Sequence, residues 1–135
     1  MTIHVLLVDA DPGAAQVTGA IVQRSAPEAT LRIEPTALSG WASAQQTRPD
    51  VLIVDPAGHS QAGLRLIQHC KELWPALRVI VLASAPTPGL RERVRRLGVE
   101  LYLEKPAALA LLSDSLKAAL RGAEIGPHRA PLAGD

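Results

Sequence analysis

Two almost wholly apolar runs, VLIVD (Val51–Asp55) and RVIVLA (Arg78–Ala83), constrain this chain most. Such runs are expected of parallel strands covered on both faces. Three further β-like runs accompany them: IHVLLV (Ile3–Val8), TLRIE (Thr30–Glu34) and ELYL (Glu100–Leu103). TLRIE is more polar and suits a sheet edge. Amphipathic segments separate the five. Asp11 followed by Pro12 marks a helix start, a capping carboxylate and then proline at the first helical position. That helix runs to about Ser25. The others span roughly Ala37–Arg48, Gln61–Leu73, Pro88–Leu97 (closed by Gly98) and Ala107–Leu120 (closed by Gly122).

Five strand–helix alternations without an internal repeat specify an α/β fold. The expected form is a flavodoxin-like (βα)5 sandwich, a five-stranded parallel sheet of order 2-1-3-4-5 with helices on both faces. A chain of 135 residues is one domain's worth and can bury a proper core. Trp41, Trp74 and Tyr102 are the only aromatics, so that core must be Leu, Val, Ile and Ala. The expected domain covers residues 1–121. Residues 122–135, GAEIGPHRAPLAGD, lack periodicity and read as a flexible tail or linker stub. A formal net charge of +1 draws the chain neither to nucleic acid nor to an anionic membrane. The single cysteine, Cys70, reads as a buried helix residue and fits a reducing compartment. No basic leader precedes a long apolar stretch and no apolar run approaches a membrane span, so a cytoplasmic protein is expected.

Open parallel sheets bind ligands at the carboxyl ends of their strands, where strand order reverses. Asp9 ends the first strand and Asp55 the third, and in the order 2-1-3-4-5 those strands are neighbours. The two acids should converge. Their mutual repulsion calls for a positive partner, and the fifth strand delivers Lys105, just past Leu103. Two acids, a lysine and several oxygen acceptors can hold Mg²⁺ and a phosphoryl group, since magnesium is bound by one or two carboxylates with phosphate oxygens and waters.

These residues carry a resemblance. VDADP after the first strand, PDVLIVD ending in Asp55, Gly63–Leu64 beyond it, VIVLASA in the fourth strand and RLGVELYLEKP through the fifth are together similar to a receiver domain of a bacterial response regulator, over residues 3–121. The resemblance implies a phosphoryl-accepting signalling module of a two-component phosphorelay rather than an enzyme. Its partner would be a sensor histidine kinase or phosphotransfer protein. By that resemblance Asp55 is the phosphoacceptor. Asp9, Asp55 and the backbone carbonyl of Ala57 belong to the Mg²⁺ site, and Lys105 contacts the phosphoryl group. Tyr102 is the switch aromatic. The surface of the fourth helix, fifth strand and fifth helix, with Arg91, Arg95 and Tyr102, meets a downstream protein or output domain. A second copy of the chain is a further candidate partner.

The sequence departs from the family twice. A second acid usually follows the first and ligates the metal, but Ala10 stands there. Asp11, one place on, is better placed to cap the helix at Pro12 than to reach the metal; both readings stand. At the end of the fourth strand, the position usually Thr or Ser is Ala83. Ser84 comes next and faces away unless the strand end bulges or slips by one residue. Its hydroxyl stays open as a phosphoryl-binding group. A unit charge about 4 Å from another interacts by roughly 4 kcal/mol at an effective dielectric near 20, so losing an acid weakens Mg²⁺ binding, while relieving repulsion in the empty site.

The alternative reading is an atypical pseudo-receiver, the same fold serving as a phosphorylation-independent interaction or dimerisation module. A nucleotide or flavin enzyme on this architecture is disfavoured. The first turn has Gly13 but neither G-x-G-x-x-G nor a Walker lysine, and aromatic loops are missing. Arg91, Arg93, Arg95 and Arg96 are interrupted by Glu92 and not interleaved with aromatics, which fits a solvated face or an acidic partner better than DNA. His59 reads as an exposed loop residue.

Overall fold

Alternating side-chain direction along apolar strands demands two cores, one on each side of the sheet. The computed structural model describes residues 2–56, 61–99, 101–105 and 109–125, with residues 122–125 described by backbone alone. The elements follow in the order β1 (His4–Val8), α1 (Pro12–Ser25), β2 (Thr30–Glu34), α2 (Ala37–Gln46), β3 (Val51–Val54), α3 (Ala62–Leu73), β4 (Arg78–Ala83), α4 (Leu90–Arg96), β5 (Leu101–Glu104) and α5 (Leu109–Ile125). The sheet runs β2-β1-β3-β4-β5, with each neighbouring pair parallel. It is the flavodoxin-like order expected.

Val5, Leu7, Val51, Ile53, Ile80 and Leu82 point to one side, where Ala15 and Val22 of α1 and Leu112 and Leu116 of α5 cover them. Leu6, Val8, Leu52, Val54, Val79, Val81 and Ala83 point to the other, under α2, α3 and α4. β3 is buried along its whole length. β2 is the exposed edge, tied down by Arg32, whose guanidinium donates to the Ser43 carbonyl of α2 and the Thr47 carbonyl just past its end, each at 2.6 Å. Cys70 is fully buried in α3, and burial pushes its thiol up to about 11.

Among the described residues three helix ends differ from expectation by two residues or more. α2 stops at Gln46 rather than Arg48, because Arg48 precedes Pro49 and proline disfavours helical backbone in the residue before it. α4 begins at Leu90 rather than Pro88. Pro88–Gly89 forms the centre of a turn closed by the Leu90 amide on the Thr87 carbonyl at 3.1 Å, with Gly89 at φ 80°, ψ −3°. That is the type II pattern, which requires positive φ at its third residue. Gly98, at φ 83°, follows α4 as expected. α5 does not close at Gly122 but continues to Ile125. A mid-helix glycine costs only about 1 kcal/mol relative to alanine, which the packed face of α5 outweighs. Ala107, where that helix was expected to begin, and residues 126–135 lie outside the described residues, as does Glu100. Among the described residues no helix is long and apolar enough to cross a membrane.

Candidate functional site

Strand register brings the acids together. Val8 pairs with Val54, and the ladder continues one residue further through the Asp55 amide to the Val8 carbonyl at 3.0 Å. Asp9 and Asp55 therefore emerge side by side, 4% and 8% exposed. β4 separates β3 from β5, so a residue of β5 must reach across two strand ends to meet them. Lys105 does so. Its amide extends the β4–β5 ladder onto the Ala83 carbonyl at 2.8 Å, and its Nζ donates to Asp9 Oδ2 at 3.0 Å and Asp55 Oδ2 at 3.2 Å.

Every carboxylate oxygen of the pair is engaged. Asp9 Oδ1 accepts from the Asp11 amide at 2.9 Å, and Asp55 Oδ1 accepts from the Ser84 amide at 3.3 Å. Burial alone pulls the Lys105 ammonium down and is the largest single influence on it. The Asp9 hydrogen bond and the charges of Asp55 and Asp9 together outweigh it and hold the group above its ordinary value. Two buried carboxylates and one ammonium leave a net charge of about −1, partly neutralised from within.

The two departures take physical form here. Asp11 is the N-cap of α1: its Oδ1 accepts from the Gly13 and Ala14 amides at 3.0 and 3.2 Å, so that oxygen is committed to the helix end. Ala10 is exposed and, with Val8, Thr36, Val54 and Gly63, lines a hollow of about 210 Å³ beside Asp55. Among the described residues no three acidic, imidazole or thiol groups gather as metal ligands. Asp9 and Asp55 still fit a hard cation that keeps several waters, as Mg²⁺ does. Ala57 and His59 lie outside the described residues. β4 ends without bulge or slip, Ala83 opposite Glu104. Ala83 is buried toward α4 and Ser84 is exposed past the strand, offering Asp55 its amide. No sequence signal marks that main-chain donor.

Tyr102 lies on the Ala83 side of the sheet. Its hydroxyl donates to Glu104 at 2.9 Å, and Arg91 lies over its ring at 4.6 Å while reaching Glu104 at 4.0 Å. Burial, followed by the Glu104 hydrogen bond and charge, pushes the phenol up to about 12. Glu104 escaped the sequence reading, although residues two apart on a strand share a face. Arg95 is held by Glu92.

An open 2-1-3-4-5 sheet with two acids and a lysine at its carboxyl edge defines the receiver class of α/β domains. The chain belongs to the response regulator receiver domain family, whose model matches residues 5–117. The methanol utilization control regulatory protein MoxX of Paracoccus denitrificans is 29% identical over 122 residues, 89% of this chain. The chain spans 54% of that relative's length. A signal receiver domain of a DNA binding response regulator from Colwellia psychrerythraea 34H superposes with a TM-score of 0.78 at 21% identity, covering 88% of this chain and 98% of that one. A CheY-like receiver domain protein from Methanospirillum hungatei JF-1 gives 0.79 at 19%, covering 93% and 100%. The receiver domain of a putative Luxo repressor protein from Vibrio parahaemolyticus gives 0.80 at 19%, covering 93% and 95%. These structural likenesses establish the fold. Receiver domains are signalling modules of two-component systems.

Proposed function

We propose that this receiver accepts a phosphoryl group on Asp55 from a phosphohistidine of a sensor histidine kinase or phosphotransfer protein. The observation that carries this reading is the Lys105 ammonium, 3.0 Å from Asp9 and 3.2 Å from Asp55. In the transfer a carboxylate oxygen of Asp55 forms a bond to phosphorus as the phosphorus–nitrogen bond of the donor breaks and the imidazole departs. Little covalent work falls to the protein, so positioning and charge neutralisation dominate. Lys105 shifts its head group from the carboxylates to a phosphoryl oxygen as a point charge. The Ser84 amide supplies a second donor in place of the hydroxyl missing at Ala83. Asp9 and Asp55, with the Ala57 carbonyl, would hold Mg²⁺, which when bound neutralises phosphoryl oxygens. With Ala10 in place of an acid, that affinity is low. The output surface is the α4–β5–α5 face, where Arg91, Arg95 and Tyr102 meet a downstream protein, an output domain or a second copy of the chain.

Incubation with acetyl phosphate and Mg²⁺, with and without EDTA, tests this by intact mass. A Mg²⁺-dependent phosphoryl adduct absent from Asp55→Asn is expected. The second reading, a pseudo-receiver that docks or dimerises without phosphorylation, is favoured by Ala10 and by the buried methyl of Ala83. No adduct from folded protein at saturating Mg²⁺ would establish it over the first.

A further inference from the structure

α4 carries arginines on two sides. Arg91 turns toward β5, over the Tyr102 ring, whereas Arg93 and Arg96, one turn apart, line a cleft of about 350 Å³ between α4 and α3. Arg65 of α3 lines the opposite wall, with Gln61 and Gln68 on the same helix side. Leu64 and Leu97 supply the aliphatic part of the lining. We infer that this α3–α4 cleft docks an acidic segment of a partner protein. The inference goes beyond the phosphoryl-acceptor reading and does not depend on it.

Charge complementarity selects the occupant. Among the described residues three guanidiniums line the cleft and no carboxylate does. Glu92, the acid nearest on α4, is already engaged by Arg95 and Arg96. Guanidiniums pair with carboxylates in a planar, two-pronged geometry, so acidic side chains are their natural complement. Part of the set is preorganised: Arg93 donates to Gln61 Oε1 at 3.1 Å and to Thr87 Oγ1 at 3.5 Å, which fixes its head group before anything binds. Among the described residues no aromatic ring lines the cleft, so there is no ring for nucleic acid bases to stack on. Leu64 and Leu97 can instead receive an aliphatic side chain set between carboxylates. Gln61 lines the cleft at the start of α3, and Thr87 of the β4–α4 turn braces Arg93, one of its guanidiniums.

The test is fluorescence anisotropy of a short fluorescein-labelled peptide of repeated Glu-Leu-Glu triplets, at low salt and at about 0.15 M. Saturable binding by the unaltered protein, weakened about tenfold or more in Arg65→Glu/Arg96→Glu, is expected. Arg24→Glu/Lys117→Glu, an equal charge change on exposed positions of α1 and α5, should stay within about twofold. Arg65→Gln/Arg96→Gln, which keeps comparable bulk, must lose affinity in the same direction with an unchanged circular dichroism spectrum. Equal losses in the cleft and control variants would overturn the inference, as would no binding by the unaltered protein. Tighter binding of a single-stranded oligonucleotide, abolished by the same cleft variant, would overturn it in favour of nucleic acid.

Discussion

Asp9, Lys105 and Asp55 form a group of three charges joined by direct polar contacts, and so do Glu92, Arg95 and Arg96 on α4. The first has side chains 3–9% exposed, the second 46–72%. In the first, removal from water makes each unpaired charge expensive, so the ammonium holds two carboxylates in place that would otherwise repel across a sheet edge. In the second, water and salt already solvate every member, and the pairing adds little to stability. Between them lies the Arg91–Tyr102–Glu104 set, in which a half-buried ring is clasped by exposed charges. Burial, more than the number or length of contacts, ranks the three.

The largest expected effect is at the buried group. Lys105→Met strands two carboxylates behind a stem of similar length and should lower unfolding stability by about 3 kcal/mol in urea titration at neutral pH. Asp55→Asn, which leaves Lys105 paired with Asp9, should cost less. Because the folded protein holds the Lys105 proton more tightly than its ordinary value of 10.5, this contribution is fully present below about pH 10.5. It is lost as pH rises through the raised folded value, so the gap between the two proteins narrows there. A loss for Lys105→Met no greater than for Asp55→Asn would break the ranking.

An intermediate effect belongs to the clasp. Tyr102 is the only tyrosine in the chain, so absorbance at alkaline pH reports it alone. The phenol should titrate near about 12, held up by burial and then by Glu104. Glu104→Gln replaces a charged acceptor by a neutral amide and removes a negative charge that disfavours phenolate, so the midpoint falls toward, but not to, the ordinary 10.0. Arg91→Gln removes a positive charge that favours phenolate and moves the midpoint up. If Glu104→Gln leaves the midpoint unchanged, the clasp is a surface contact of the α4 kind.

Much of this was legible in sequence because it rests on periodicity. Apolar runs as uniform as Val51–Val54 and Val79–Ala83 mark parallel strands covered on both faces, and the common order 2-1-3-4-5 for such strands then brought Asp9 to Asp55. Asp11–Pro12 announced its cap chemically. What escaped depends on contacts that no local pattern encodes. The Ser84 amide reaches Asp55 because a strand ends where it does, and any residue but proline there would offer the same donor. Pro88–Gly89 carries turn and helix-start signals at once, and the positive φ of Gly89 decided for the turn. Gly122 resembled a stop, but tertiary packing of α5 outweighed a modest propensity cost. The separation of the α4 arginines into two faces required the placement of α3.

The smallest expected effect on stability sharpens the comparison from the other end. The Arg95 hydrogen bond, the largest influence, and then the opposing slight burial and the remaining arginine contacts leave the Glu92 carboxyl below its ordinary 4.5. Its pairing is therefore present above the usual carboxylate range and lost as pH falls through the depressed value. At neutral pH and about 0.15 M salt, Glu92→Gln should leave the thermal midpoint unchanged, since the carboxylate it removes was as well served by water. The same substitution releases Arg96 and removes a negative charge beside the α3–α4 cleft. Affinity for the acidic peptide should then rise by about twofold at low salt. A fall in thermal midpoint comparable with that of Lys105→Met would show that exposure does not separate the two clusters. An unchanged midpoint with tighter peptide binding would show that the exposed group serves recognition, while the buried one holds the carboxyl edge of the sheet together.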